Sequence, residues 1–415
     1  MQPLPVLITQ HGQPAKVKAV DYICRTNPRT LKVQRITVSA FFFFNGFLYA
    51  NWAARLPELQ ESLGISHSSL GTILFILALG AVIGMPFTGW LAVRYGSAFI
   101  TKLFAIVLCT AIAMIGFPSS MAVESIVFFF IGLFNGGMDV TMNEQAVLVE
   151  RQWKKPIMSS FHGLWSVGMA VGAGTGALFS KSQTDLKIHF IVVAAISGLA
   201  LVWASRYLIK SKPESSGKEK TFVLPTRLIA PLGFIAFCGM LSEGSVGDWS
   251  AIFMNKIVGA TESFSALAFG AFAAGMTTGR FTGDYFTMHY GKKKLLIADG
   301  LLAITGLAIV LGFASVWSTF LGFFLAGLGL ATVVPVIYTT AGNAPGVSPS
   351  VGIAMATTIG YSGFFVGPPV IGYLSDSFGL RIGMTFPLVL LVLMVVIIAR
   401  VDFGKFKHTT EPHRT

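Results

Sequence analysis

Charge is what this chain of 415 residues has least of: Asp, Glu, Lys and Arg together supply 12% of it, about half the roughly 25% of a soluble globular domain. With 53% hydrophobic residues and a mean hydropathy of +0.71, it carries more apolar surface than cores of ordinary size can hide, which excludes a water-soluble multidomain enzyme. Cysteine is almost as scarce. Cys24, Cys109 and Cys238 are odd in number and far apart, so neither a disulfide framework nor a thiolate metal site is expected. The seven histidines are scattered in the same way, and no metal cluster is expected from them. No HExxH, GxSxG or nucleotide-binding Walker pattern is present, which speaks against a hydrolytic enzyme or a nucleotide-driven pump. No cofactor is implied. What is abundant is glycine and phenylalanine, 45 and 36 residues without a short period, a composition suited to helices packed closely in lipid.

An apolar helix of about 20 residues spans a bilayer, and twelve such runs can be read. They lie near 36–56, 70–93, 98–117, 125–149, 159–179 and 188–209, then 228–254, 264–288, 294–312, 317–341, 351–374 and 382–400. The net charge of +12 is distributed unevenly between their connections. Of 30 basic residues, 25 fall in alternate gaps and the tails, leaving Arg55, Lys181, Lys187, Lys256 and Arg381 in the opposite set. By the positive-inside rule both termini and the central linker face the cytoplasm, and the basic excess reports topology instead of a nucleic-acid partner. Residues 1–35 are polar and basic, without the apolar core of a signal peptide. The expected organisation is a cytoplasmic tail (1–35), a six-helix bundle (36–209), a cytoplasmic linker (210–227), a second six-helix bundle (228–400) and a tail (401–415), in the cell's inner or plasma membrane.

The two bundles repeat each other at an offset of 195. Gly80 and Gly84 match Gly275 and Gly279, Gly96 matches Gly291, Gly132 matches Gly327, and Gly168 and Gly172 match Gly363 and Gly367. At offset 197, Ala50-Asn-Trp-Ala-Ala54 echoes Gly247-Asp-Trp-Ser-Ala251. One register held across several helix pairs implies two parallel halves related by an axis along the membrane normal.

Twelve helices, a charged middle linker and parallel halves resemble the major facilitator superfamily. That superfamily's loop between helices 2 and 3 reads Gly-x-x-x-Asp-Arg-x-Gly-Arg-Lys; this chain keeps Gly89, Arg94 and Gly96 but has Val93 in the acidic place. The second-half loop keeps Gly291-Lys292-Lys293, with Met288 and His289 where Asp-Arg would stand. Three stretches are similar to the MosC-like or YbjJ-like branch: Gly137 to Gln145, Met158 to Gly168, and Glu243 to Ser250. The resemblance implies an all-α membrane fold in two pseudo-symmetric bundles, alternating access, and a cavity lined by helices 1, 4, 7 and 10.

Polar groups at mid-membrane are costly unless used or well paired. On the fourth run, Asn135, Asp139 and Asn143 stand at successive i, i+4 steps on one face, an amide, acid, amide stripe able to hydrogen-bond a polar solute. Asn45 on the first run, Glu243 on the seventh and Tyr338 on the tenth complete the substrate-binding candidates. Asp139 and Glu243 are candidates for proton coupling because a carboxylate in such a cavity can exchange protons. His162 joins them as a candidate relay to Asp139 or Glu144 on the adjacent helix, with packing as its ordinary role. Glu144 lies on another face, suited to packing or a cytoplasmic gate. Gating candidates are Arg55 and Asp248, which could pair at the outer mouth; Trp52 and Trp249, in matched roles there; Arg94, Gly96 and Gly291; and Arg280 with Asp284, an i, i+4 pair read with Asp299 as a cytoplasmic-side cluster.

The expected function is secondary active transport of a small solute by a monomer, coupled to protons across the bilayer. A sugar or polyol suits the amides and the indole rings; proton-driven efflux of amphipathic drug-like compounds suits the phenylalanines. A non-transporting sensor on the same scaffold is the alternative of another class, and solute flux in proteoliposomes separates it.

Overall fold

A computed structural model describes residues 28–65, 67–210, 226–260, 262–313 and 315–406. Most of both tails and of the central linker expected from the sequence lie outside the described residues. The first half comprises α1 (Pro28–Ala53), α2 (Leu56–Leu63), α3 (His67–Tyr95), α4 (Ser97–Met114), α5 (Met121–Trp153), α6 (Met158–Lys181) and α7 (Leu186–Ala204). The second comprises α8 (Ala230–Lys256), α9 (Glu262–Tyr290), α10 (Lys292–Phe313), α11 (Val316–Leu330), α12 (Val333–Ala341), α13 (Pro349–Phe378), α14 (Leu380–Gly383) and α15 (Thr385–Arg400). Nine spans among the described residues are long and apolar enough to cross a membrane by length and composition. The more polar α1, α6 and α9 complete twelve, in two pseudo-symmetric six-helix bundles.

Three features depart from the sequence reading. α1 starts at Pro28, eight residues before the expected 36, because a helix continues past the depth at which its side chains turn polar. α2 was not expected: its Leu-Pro-Glu-Leu-Gln-Glu-Ser-Leu sequence is too short and polar to span, yet it buries Leu59 and ends on Gly64 in the left-handed conformation. The tenth run is broken at Ala331–Thr332 into α11 and α12. Pro335, four residues after Ala331, has no N–H to donate and its ring crowds that carbonyl.

Each half has its own core. One runs from Val38 to Leu208 around Phe41, Phe161 and Phe190, and receives Ile353 and Ala354 of α13; the other runs from Ile229 to Phe406 around Phe253, Phe272 and Phe323. The 195-residue repeat has a direct steric meaning. A Cβ on Gly132 of α5 would collide with the Leu77 carbonyl of α3, and one on Gly327 of α11 would collide with the Phe272 carbonyl of α9. Leu77 and Phe272 are themselves 195 apart. Gly96 and Gly291 open α4 and α10 with φ of 83° and 77°, a region disfavoured for residues with a Cβ.

Candidate functional site

The i, i+4 spacing on α5 brings the stripe together as expected. Asn143 Nδ2 donates to Asp139 Oδ1 at 3.0 Å and to the Asp139 carbonyl at 2.8 Å. One turn toward the helix start, Asn135 Oδ1 accepts from Asn45 Nδ2 at 2.9 Å, while Asn45 Oδ1 accepts from Trp165 Nε1 at 2.9 Å. α1, α5 and α6 are thus laced by one chain of directed bonds. Because the Asn143 amide nitrogen is used on Asp139, its Oδ1 is left to accept from His162 Nε2 at 3.2 Å, which assigns the proton to Nε2.

That geometry corrects one reading. His162 does not touch Asp139: its ring bonds Asn143, whose amide stands between them, so the two titratable groups are not in direct contact. Its ring also stands edge-on to Phe42 and Tyr338, with centroids 5.1 and 6.0 Å away. Tyr338 is fully buried, and its hydroxyl has no hydrogen-bond partner.

The second half reaches into this network. Tyr361 of α13 donates to Asp139 Oδ2 at 3.3 Å, so the buried carboxylate accepts from both halves. Arg280 of α9, 6% exposed, donates from Nη1 to Ser166 Oγ at 2.6 Å, lies 5.5 Å over the Trp165 ring, and approaches Glu243 Oε1 at 3.6 Å. The reading of Arg280 with Asp284 as one cytoplasmic-side cluster therefore fails. Asp284 accepts instead from the backbone N–H groups of Ser159 and Ser160, each at 2.8 Å, and from the Ser160 hydroxyl. The free N–H groups at the start of α6 are strong partners for a carboxylate, and they hold Asp284 away from Arg280. Asp299 takes the Thr332 hydroxyl.

Asp284 belongs to a band of contacts that joins the halves at the end bearing the α5–α6 turn. Arg151 donates to Asn343 Oδ1 at 2.7 Å and to the Gly342 carbonyl at 2.6 Å, and the Ser350 hydroxyl donates to Glu144. Glu150 completes the α6 cap by accepting from the Ile157 and Met158 N–H groups at 2.8 and 2.9 Å. Arg94 is exposed and stacks on Trp90 and Tyr95 of its own helix, so the structure does not bring it to this band.

At the opposite end, Arg55 does not meet Asp248. It donates to His189 Nδ1 at 3.1 Å and to the Thr184 carbonyl at 2.8 Å, and it pairs with Glu58 at 3.2 Å. His189 Nε2 in turn bonds Asn51 Oδ1 at 2.9 Å. Asn51 and Trp52 are buried, whereas Asp248 is exposed and Trp249 half-buried, so the sequence echo between them does not give matched surroundings. Glu58 is held below the ordinary carboxylate range: burial raises it, but the Ser180 hydroxyl, its own backbone and the Arg55 charge lower it further.

Sequence reasoning missed Tyr361, Ser350, Asn343 and His189. Each is a common residue whose partner lies far away in sequence; only the 195-residue register, which sets Tyr361 opposite Ser166 and Tyr338 opposite Asn143, pointed to the first.

The family model described as the Major Facilitator Superfamily matches residues 36–253 and 232–413. The chain is 34% identical over 367 residues to an uncharacterized MFS-type transporter of Yersinia pestis, covering 88% of this chain and 94% of that protein. It is 31% identical over 389 residues to the membrane protein MosC of Rhizobium meliloti, covering 92% and 93% respectively. The solved structure of the proton:xylose symporter XylE matches with a TM-score of 0.76 over 92% of this chain and 98% of that one, at 13% identity, a likeness of fold.

Proposed function

Because the chain belongs to the major facilitator superfamily, and is a secondary transporter and not an enzyme, we propose that it moves a small polar solute by alternating access, driven by protons that exchange at Asp139. The observation that carries this reading is the Tyr361 to Asp139 hydrogen bond. A titratable group of one half is bonded to the other half at the centre of the bundle, so rocking the halves makes or breaks a bond whose strength depends on the proton. Arg280, paired with Glu243 inside the second half, reaches Ser166 of the first half, a second contact that the same motion makes or breaks.

The substrate class follows from what the centre offers. Arg280 and Glu243 offset each other's charge, and the remaining groups are Asn45, Asn135, Asn143, the Trp165 ring and the Tyr338 hydroxyl. Amides and an indole suit a neutral hydroxylated solute such as a sugar or polyol, held by hydrogen bonds and ring stacking. The asymmetry of basic residues supports an inner- or plasma-membrane protein with both termini and the 210–227 linker cytoplasmic, dividing bundles 36–209 and 228–400. The contact band at Arg151, Asp284 and Ser350 then closes the cytoplasmic side.

The test is uptake into proteoliposomes of a panel of sugars, polyols, amino acids and cationic drugs, with and without an imposed proton gradient. Gradient-dependent accumulation of a neutral hydroxylated solute is expected. Transport of cationic drugs alone overturns the substrate class, and binding without flux overturns transport.

A further inference from the structure

Outside the transport path, the start of α1 and the turn after α7 enclose a cavity of about 340 Å³ lined by Arg29, Thr30, Val33, Gln34, Arg206, Tyr207 and Leu208. Two guanidinium groups, a hydroxyl and a phenol line it, and none of the described residues lining it is acidic. Gln34 adds a buried Oε1 with no hydrogen-bond partner, an acceptor available to a hydroxyl or ammonium group. The arginine side is fixed in place. Leu208 is buried, and Gln145 of α5 grips the next residue on both sides, donating to the Ile209 carbonyl and accepting from its N–H at 2.9 and 2.8 Å.

Below the basic rim, each wall continues as an exposed apolar stripe. On α1, Val33 and Ile36 follow Arg29 at i+4 and i+7, and Ile36 is 68% exposed. On α7, Trp203 and Leu199 precede Tyr207 at steps of four, 59% and 75% exposed. The Trp203 and Tyr207 rings meet edge-on at 5.8 Å, and Trp and Tyr are the residue types enriched at the level of lipid headgroups. Seven residues of helix are about 10 Å, so the drop from Arg29 to Ile36 matches the step from a phosphate into acyl chains.

We infer that this slot between α1 and α7 is a binding site for one anionic diacyl glycerophospholipid, its phosphate between Arg29 and Arg206, its headgroup hydroxyl on Gln34, and its chains along Ile36, Trp203 and Leu199. Charge complementarity selects the anionic headgroup, and the two apolar stripes select a diacyl lipid over a free phosphate. The site joins the first helix to the last of the same bundle, so its occupant holds that bundle without crossing the interface that rocks.

The experiment is lipid titration of the detergent-purified full chain, read by native mass spectrometry, with phosphatidylglycerol, phosphatidylcholine of the same acyl chains, and inorganic phosphate as a competitor. One high-affinity phosphatidylglycerol is expected on the wild-type protein, weakened about 30-fold by R29Q together with R206Q, and unchanged by K102Q on α4, an exposed basic residue outside the slot. W203A, which removes part of the chain-binding wall and no charge, is expected to weaken phosphatidylglycerol while leaving its preference over phosphatidylcholine intact. Should the double variant fail to fold, the single substitutions R29Q and R206Q are read in the same way. Equal retention of both lipids, undiminished binding by the arginine variants, or displacement by millimolar phosphate would overturn the proposal, the last by assigning the site to a free anion.

Discussion

The two halves share a scaffold and differ in chemistry. Gly132 and Gly327 meet carbonyls of residues that are themselves one repeat apart, and Gly96 and Gly291 open their helices with the same backbone. The same register places Val334 opposite Asp139, Met85 opposite Arg280, Tyr338 opposite Asn143 and Tyr361 opposite Ser166. The first half satisfies most of its polar groups internally, through Trp165, Asn45 and Asn135 and through Arg55, His189 and Asn51. The second half sends Arg280, Asp284 and Tyr361 across the interface. Positions that set helix spacing are the same in both copies, and the positions between them differ: apart from Arg151, which crosses from the first half to Gly342 and Asn343, the first half receives and the second half reaches.

The largest break in that comparison comes from R280M, which gives the second half the residue that the first half has at this place. Removing the cation leaves the half-buried Glu243 without its partner and Ser166 without its donor, and transport is expected to fall at least about 100-fold, with about 1–3 kcal/mol of stability lost. Adding E243Q should recover most of the stability and none of the transport, measured as a double-mutant cycle on thermal unfolding beside uptake.

The shared part is sharpened by G132V and G327V. Each pushes side-chain atoms into a helix backbone with no flexible neighbour to yield, and each is expected to cost more than about 3 kcal/mol. Similar losses in both halves support the repeat; a large loss in one alone breaks it.

A smaller effect isolates the receiving half. H189A strands a donor of Arg55 and the acceptor of Asn51 together, and an unsatisfied buried group costs about 1–3 kcal/mol; the drop in thermal midpoint should leave substrate affinity unchanged. The smallest effect is that of Glu58. Its depressed folded value means that it stabilises at pH above the ordinary carboxylate range, with the contribution lost as pH falls through the folded value. For a partly exposed pair this is worth less than about 1 kcal/mol. E58Q should flatten the acid limb of the thermal midpoint against pH.

Much of the scaffold was legible in the sequence because hydropathy, charge asymmetry and the glycine register act at fixed spacing along the chain. The amide and acid stripe of α5 was legible for the same reason, as its i, i+4 steps are local. Whatever depends on which helix lies opposite was not. Arg280 and Asp284 look like a pair along α9 until the start of α6 appears beside Asp284, and Arg55 and Asp248 look like a pair until His189 takes Arg55. α2 escaped because an eight-residue amphipathic helix has no spanning signal.

The central claim is that protonation at Asp139 couples the two halves. It is tested most directly by comparing D139N and Y361F with wild type in proteoliposomes, measuring gradient-driven accumulation and solute exchange on the same preparations. The account predicts that D139N abolishes accumulation while exchange persists, since exchange needs the site and the rocking motion but no net proton release, and that Y361F changes the pH profile of uptake. Accumulation by D139N with wild-type pH dependence would contradict it.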